Sequence, residues 1–505
     1  MSAKVLSAAL VGLDGLVVEV EADNSPHGNI GIFIVGLPDK AVDESKSRVR
    51  SAVKNSGLEF PRGNVTINLA PADLKKFGTY YDLPIAAACL IQAGQINVPD
   101  FSQSVFIGEL SLDGGLRPVS GILSIALMMA KAGFKNLFLP AANAAEAGLV
   151  DGFNIYALDH LGQMVSHFKG QNILTPYQRV KDFSTADFFE TEMAHIKGQE
   201  HAKRALEIAA AGSHNILMSG PPGSGKTLLA KALPSILPQM ALPESLEVTR
   251  IYSAAGLLPG DQPLITVRPF RAPHHTASGV ALVGCGAWPK PGEISLAHRG
   301  ILFLDEFLEF PKIVLENLRQ PLEDGVVSVS RAAGTLKFPA KFILVAAMNP
   351  CPCGFLSDAE RECTCQPSQV LRYQKRASGP LLDRIDLHIE VPRVKLEKLE
   401  SAQLAESSVD IRHRVQQARD LQIERFREEK IIDNSEMNAR QIQKYCSIDD
   451  AGRQLLRQAV EHLHLSARAY HRILKLARTI ADLAESEIIL SEHLAEALQY
   501  RPKVE

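Results

Sequence analysis

The segment "HNILMSGPPGSGKTLLAKAL", His214 to Leu233, constrains this chain more than any other stretch. An apolar run from His214 to Ser219 leads into Gly220, Pro221, Pro222, Gly223, Ser224, Gly225, Lys226 and Thr227, and then into a helical pattern. The spelling is G-x-x-x-x-G-K-[ST], a phosphate-binding loop in the strand-to-helix setting the motif requires. Glycines let successive backbone N–H groups turn toward phosphate oxygens, and the helix that follows presents its positive dipole end. Lys226 is expected to hold the β- and γ-phosphates of a nucleoside triphosphate, with the Thr227 hydroxyl on Mg²⁺. A chance match is the competing explanation, and the partners found elsewhere in the chain weigh against it.

Those partners follow in order. "GILFLDEF" is a buried apolar run ending in Asp305 and Glu306; the first carboxylate is placed to hold Mg²⁺ and the second to polarise a water for in-line attack. Two solvated acids would leave the four apolar residues before them without a reason. "KFILVAAMNP" is a third such run, ending in Asn349, where an amide would orient the attacking water or sense the γ-phosphate. Three strands with polar tips at their C-terminal ends match the way open α/β sheets bind ligands.

At 505 residues the chain exceeds one core, and the usual domain size suggests about three domains. Residues 1–168 alternate β-like runs ("GIFIVGL", "VTINLA", "SVFIGELSL", "NLFLP", "FNIYAL") with helical patterns, one of them Leu83 to Ala93, and read as an α/β module. A polar, Pro- and Gly-containing linker is expected over 169–194, a second α/β unit over 195–395, and helices alone over 396–505. "SIDD" at Ser447 has capping-box spacing, and Ser466 precedes a helical periodicity that leaves Arg468, Arg472, Lys475 and Arg478 off the buried face. No apolar run is long enough for a bilayer, and Asp14 interrupts the short N-terminal apolar stretch, so a cytoplasmic location and no membrane partner are expected. A net charge of −3 advertises no polyanion, so any such binding must come from local basic groups.

Four of the seven cysteines, Cys351, Cys353, Cys363 and Cys365, stand as C-x-C-x9-C-x-C between Asn349 and Arg384. Four thiolates complete a tetrahedral, structural Zn²⁺ site, although C-x-C is tighter than the usual C-x2-C. Reduced thiols and a redox switch are the other readings. Two further stretches carry basic groups. "RPFRAPHHTASGVALVGCGAWPKPGEISLAHRG" brings Arg268, Arg271 and His275; "LEDGVVSVSRAAGTLKFPAKF" reads as a β-hairpin bearing Arg331 and Lys337, with an ordinary solvated hairpin as the plain alternative.

The order of these parts resembles an AAA+ ATPase of the magnesium-chelatase-like branch. In that branch "SGPLLDRIDLHIEV" looks like the arginine-finger segment, which makes Arg384 the group reaching a neighbouring subunit's γ-phosphate. Arg468, in "LSARAYHR", matches the sensor-2 position that contacts nucleotide from a helical lid. On the residues alone Arg384 could equally pair with Asp383 or Asp386 on its own surface. The segment "FIGELSLDGGLRPVSGILSIALMMAKAGFKNLFLP" resembles the Lon-protease fold, without the Ser and Lys a catalytic dyad needs. Taken together, the chain resembles the YifB/ComM family. The resemblance implies an α/β fold: a P-loop AAA+ core, a degenerate N-terminal Lon-protease-like α/β domain and a C-terminal α-helical lid. It also implies ATP and Mg²⁺ as cofactors, a nucleotide-dependent homo-hexamer, single-stranded and branched DNA as substrate, and recombination proteins as partners. Its members are implied to be branch-migration helicases that help single-stranded DNA integrate during natural transformation. In such a ring Arg268, Arg271 and His275 would face the polyanion, and Arg331 and Lys337 would touch its phosphates. A magnesium-chelatase-like remodeller and a Lon-type protease are the rivals; the first would lack its integrin-like partner domain here, the second its dyad.

Overall fold

The computed structural model describes residues 2–25, 31–96, 101–179, 189–260, 262–284, 290–331, 334–356, 358, 360–394, 397–398, 405–463 and 465–501. The chain divides into two units, Met1–Ser184 with Ser245–Ile265, and Thr185–Glu244 with Thr266–Glu505. Ser245–Ile265, which the sequence reading places inside 195–395, is thus part of the first unit.

The first unit is built on strands β1 (Ala3–Val11), β2 (Asp14–Ser25), β3 (Gly31–Val35), β4 (Asn64–Ala70), β5 (Ser104–Phe106), β8 (Asn136–Pro140) and β9 (Asn154–Leu158), in the sheet order β3-β4-β2-β1-β5-β8-β9. Two short strands, β6 (Glu109–Leu110) and β7 (Leu116–Arg117), form a separate hairpin. The sheet is mixed: β1–β2 and β2–β4 are antiparallel, and the other pairings are parallel. The hairpin β1–β2 is absent from the sequence reading. Its first strand, "AKVLSAALV", is covered on both faces and shows no alternation to read, whereas Val18, Val20 and Ala22 on β2 do alternate inward. Helix Asp82–Gln92 is buried over nearly its whole length, and the Asp82 carboxylate at its start is paired by Arg48 at 2.8 Å. Segment Ser245–Ile265 is tied in by polar bonds: Arg250 donates to Leu13 O and to Asp14, and Ser253 O accepts the Gly121 N–H at 3.0 Å.

The second unit holds a parallel sheet of β10 (Ile216–Ser219), β11 (Phe270–Arg271), β12 (Ile301–Leu304), β15 (Ile343–Met348) and β16 (Leu387–Glu390), ordered β11-β12-β15-β10-β16. Sequences such as "ILFL" and "ILVAAM" suit strands buried on both faces, as parallel strands covered by helices are. The expected hairpin is present as β13 (Val326–Arg331) and β14 (Gly334–Pro339), paired from Val326↔Pro339 to Arg331↔Gly334. After β16 every described element is a helix, and these helices share one core with the sheet: Ile216 and Ile389 belong to the same apolar cluster as Ile473, Ala477 and Ile480. Among the described residues no helix is long and apolar enough to cross a membrane.

Ser466 caps helix Ala467–Leu483, accepting the Ala469 N–H at 3.2 Å, as its spacing suggested. The next cap upstream falls elsewhere than expected. Asp449, not Ser447, accepts the Gly452 N–H at 2.8 Å, because the Ser447 carbonyl is held by the Ile489 N–H at 2.8 Å. The cationic face of helix Ala467–Leu483 is also corrected, since Arg472 and Arg478 are buried. Arg478 pairs with fully buried Asp482 at 3.0 Å, and Arg425 reaches the same carboxylate at 2.9 Å. Removing one partner of a buried ion pair leaves an uncompensated charge, at a cost of about 3–5 kcal/mol. Asp482→Ala strands two guanidinium groups, so it is expected to destabilise the second unit by at least about 3 kcal/mol, seen as a lower urea midpoint for that unit's transition.

Candidate nucleotide site

The parallel order of the second sheet brings the three polar strand tips together. The phosphate loop follows β10, Asp305 follows β12 and Asn349 follows β15, all at C-terminal strand ends. Gly223 and Gly225 have φ of +78° and +92°, a region that side chains disfavour. Gly220 is constrained by space instead, since a Cβ there would stand 2.2 Å from the Val391 carbonyl oxygen. Buried Lys226 sends its ammonium back over the loop, donating to Gly220 O at 2.7 Å, Pro221 O at 2.9 Å and Asn349 Oδ1 at 3.4 Å. Burial pushes its pKa below the usual lysine value, against the pull of the Asp305 carboxylate. The Thr227 hydroxyl donates to Asp305 Oδ2 at 2.8 Å, so the hydroxyl and the carboxylate that suit Mg²⁺ stand within reach of one ion. The next residue, Glu306, has φ +50° and ψ +45°, a left-handed conformation that costs a non-glycine residue of order 1–3 kcal/mol.

Arg384 stands at the other end of the same strands. Its carbonyl accepts from the Asn215 side chain at 3.1 Å, and Asn215 O accepts the N–H groups of Asp386 and Leu387 at 3.0 and 2.9 Å. Asn215 immediately precedes β10, while the phosphate loop immediately follows it; β10 and β16 run parallel from Ile216↔Leu387 to Ser219↔Glu390. Four residues at about 3.3 Å each put roughly 10–13 Å of strand between Arg384 and the phosphate loop of its own chain. Arg384 pairs with neither Asp383 nor Asp386. It donates to Glu323, and Arg468 donates to the other oxygen of Glu323 at 2.6 Å. Arg468 therefore stands beside Arg384, the two sharing one carboxylate. The two arginines hold the Glu323 carboxyl below the usual range, the bond from Arg384 most of all. Both arginines and Glu323 line a cleft of about 880 Å³. Glu323 is a residue the sequence reading did not single out, and nothing in "PLEDGVV" marks it apart from the acid beside it.

The residues expected to face a polyanion are mostly engaged elsewhere. Arg268 is mostly covered, giving two bonds to Glu244 at 3.1 and 3.2 Å and one each to Pro238 O and Arg299 O at 2.7 and 2.8 Å. Arg271 is clamped on Glu293 by two bonds of 2.6 and 2.7 Å. His275 faces Glu306, with Nδ1 2.8 Å from Oε2. Sequence gives no sign of these acids, which lie tens of residues away. Lys337 is exposed on β14, whereas the Arg331 side chain lies outside the described residues.

The four cysteines converge. Cys351 Sγ is 3.3 Å from Cys353 Sγ and 3.6 Å from Cys363 Sγ, Cys353 and Cys363 are 3.6 Å apart, and Cys365 Sγ accepts the Cys353 N–H at 3.4 Å. All four sulfurs lie within 4.8 Å of one another, with no disulfide among them. Tetrahedral Zn–S bonds of about 2.3 Å require S···S separations near 3.8 Å, so the donor set and the spacing fit one such ion. The cluster is pressed on the phosphate loop: a Cβ on Gly354, at φ +85°, would come within 2.6 Å of Pro222 Cδ.

Three family models match the chain: "Magnesium chelatase, subunit ChlI" over residues 192–399, "Subunit ChlI of Mg-chelatase" over 18–143, and "Magnesium chelatase, subunit ChlI C-terminal" over 405–501. The chain is 44% identical to competence protein ComM of Haemophilus influenzae, over 99% of this chain and 97% of that protein. It is 44% identical to the uncharacterized protein YifB of Salmonella typhimurium, covering 98% and 96% respectively. The magnesium-chelatase 38 kDa subunit of Cereibacter sphaeroides is 26% identical over 31% of this chain and 51% of its own length.

Because Gly354 has both a positive φ and a neighbour in the way, Gly354→Ala must displace Pro222. It is expected to weaken binding of a non-hydrolysable ATP analogue roughly tenfold, about 1.4 kcal/mol, by calorimetric titration. Gly57→Ala, also at positive φ but with open space around it, should leave that affinity unchanged.

Proposed function

The chain belongs to the YifB/ComM family of magnesium-chelatase-like proteins, and from that premise we propose that it is an ATP-driven ring motor acting on DNA. The most specific form of this reading is a cytoplasmic, hexameric branch-migration helicase that promotes integration of single-stranded DNA during natural transformation, alongside recombination proteins. The name of its Haemophilus relative, a competence protein, supports that role. The observation that carries the motor is the division of labour across the parallel sheet. Lys226, Thr227, Asp305, Glu306 and Asn349 gather at the C-terminal ends, while Arg384 stands at the N-terminal ends, beyond reach of its own phosphate loop. A nucleotide held by one copy would therefore meet its arginine finger only from a second copy, with Arg468 beside that finger.

In this reading Lys226 and the loop N–H groups bind the phosphates, and Thr227 with Asp305 holds the Mg²⁺ that accompanies ATP. Glu306 takes a proton from the attacking water, which Asn349 orients. Bound Mg²⁺ supplies neutralisation of phosphate charge. The partner's finger would meet charge developing on the transferred phosphoryl group, a contribution of about 10³–10⁵ in rate where such fingers have been measured. DNA contact rests on Lys337 and on the hairpin it belongs to. A remodeller acting on a protein or metal-insertion complex is the second reading, favoured by the three magnesium-chelatase models.

We also infer that Cys351, Cys353, Cys363 and Cys365 hold a structural Zn²⁺. The Phe355 N–H, foremost among several hydrogen bonds, holds the Cys353 thiol down at about 6, while burial and the neighbouring sulfurs push Cys363 and Cys365 up, so one thiolate is favoured in advance and the others would lose their protons on binding the metal. Metal analysis of the purified chain should find about one equivalent of zinc, and Cys363→Ser should lower it to a trace. A full zinc load in that variant would refute the assignment.

The shared site is tested by mixing. Lys226→Ala and Arg384→Ala should each lose at least about a hundredfold in ATP turnover, and their mixture should regain a measurable rate, because one kind of interface then has both an intact loop and an intact finger. A mixture as inactive as its components would exclude a finger in trans. Single-stranded or forked DNA should raise wild-type turnover and, with ATP, drive movement of a branched junction; indifference to DNA would favour the remodeller.

A further inference from the structure

We propose that Glu323 is a positioning residue for ATP hydrolysis: its carboxylate spaces Arg384 and Arg468 as one cationic clamp for the phosphates bound by a neighbouring copy. The inference deepens the proposed function and rests on the finger acting in trans. The backbone of the clamp is fixed by other groups. The Arg384 carbonyl accepts from the Asn215 side chain at 3.1 Å, and the carbonyls on either side of it, Asp383 O and Ile385 O, accept from Arg472 at 3.1 and 2.9 Å. Arg472 lies about one turn beyond Arg468 on helix Ala467–Leu483, so the helix that carries the second arginine also grips the backbone of the first. What this scaffold leaves open is where the two guanidinium tips go. Like charges on two long side chains repel when brought together. Here each arginine gives its Nη2 to a different oxygen of Glu323, Arg468 at 2.6 Å, and the carboxylate holds them side by side.

Glu323 is itself anchored. It lies in helix Arg319–Asp324, where the Leu322 N–H bonds Leu318 O at 3.0 Å and the Gly325 N–H closes the helix on Pro321 O at 2.9 Å. Gly325 O in turn accepts the Ala340 N–H at 2.8 Å, at the foot of the hairpin formed by β13 and β14. The carboxylate therefore starts from a fixed point, and its two oxygens set the distance between the guanidinium groups. The side chains of Glu323 and Arg468 are 47% and 48% exposed, so their bond is worth little to the stability of the fold. Its consequence is catalytic geometry. Two cations against one carboxylate leave the trio with a net positive charge. A guanidinium has five N–H donors, so one bond to Glu323 leaves each arginine donors for phosphate oxygens. Donors fixed in place before charge develops stabilise it most, because nothing has to reorganise at the moment of reaction. Glu323 touches neither phosphate nor attacking water, and acts only through the two arginines.

The test is steady-state ATP turnover of the full-length chain. Glu323→Gln is expected to lower kcat about tenfold while KM for ATP stays within about twofold, because the phosphate loop of each copy is untouched. Asp324→Asn, which removes the neighbouring acid on the same helix, should turn over at the wild-type rate. A wild-type or higher kcat in Glu323→Gln overturns the proposal, and so does an equal loss in Asp324→Asn. Mixing then locates the defect. In the mixture of Lys226→Ala with Arg384→Ala, turnover returns where the loop of the Arg384→Ala copy meets the finger of the Lys226→Ala copy. Adding Glu323→Gln to the Lys226→Ala copy, which supplies the finger, should cut the regained rate about tenfold. Adding it instead to the Arg384→Ala copy, which supplies the loop, should leave that rate unchanged. Equal rates from the two placements, or a loss only when the loop copy carries the substitution, overturn the clamp. A mixture without Glu323→Gln that regains nothing refutes the finger in trans itself, and the clamp falls with it.

Discussion

The second unit depends on the parallel, in-register alignment of β10 with β15 on one side and β16 on the other. Parallel strands deliver all of their C-terminal ends to one edge, and four-residue strands leave no room for a residue at one edge to act at the other. Everything proposed for the site follows from which edge a residue occupies. Lys226, Asp305 and Asn349 are spread over more than a hundred residues of sequence, yet they meet because Asp305 and Asn349 directly follow parallel strands and Lys226 opens the helix after the loop that leaves a third. Arg384 precedes its strand, and that alone removes it from the nucleotide of its own chain.

A run of buried polar contacts ties the N-terminal edge of this sheet to the helices after it. Asp482 accepts from Asn434 at 2.8 Å, and Asn434 donates also to Thr479 at 3.0 Å. Thr479 meets His214 Nε2 at 2.8 Å, His214 Nδ1 meets Asp386 at 3.3 Å, and Asp386 accepts the Asn215 N–H at 3.2 Å. Buried groups of this kind are costly unless each finds its partner, so the run tolerates few relative displacements of helix and strand. Arg384 sits beside its sheet end and Arg468 on the helix that carries Thr479 and Asp482. The network therefore fixes the separation of the two arginines that converge on Glu323.

The phosphate-loop motif, the acidic strand tip and the strand that ends before Asn349 were legible in the sequence because each is written locally: a continuous apolar run for a strand buried on both faces, followed by the polar residues it delivers. The cysteine cluster was legible for a similar reason, since four thiols in fifteen positions can hardly avoid one another. Pairings across long separations were not legible. Arg268 with Glu244 and Arg384 with Glu323 join residues 24 and 61 positions apart. A basic residue destined for a distant acid is spelled no differently from one destined for phosphate. Helix Ala467–Leu483 shows the same limit: its periodicity was readable, but Arg472 and Arg478 lie on surfaces covered by other elements, which a single helix's pattern does not reveal.

The site residues also hydrogen-bond one another, and that has a consequence for how the site responds. Lys226 is held by loop carbonyls and Thr227 by Asp305. A phosphate oxygen that takes the lysine ammonium, or a cation that takes the hydroxyl and carboxylate, does so in exchange for these bonds. The net gain is the difference between a charge-assisted bond and the one it replaces, not the full strength of the new contact. The exchange favours a triphosphate with its cation over a weaker anion, because only the combination repays the lysine and the Thr227–Asp305 pair together.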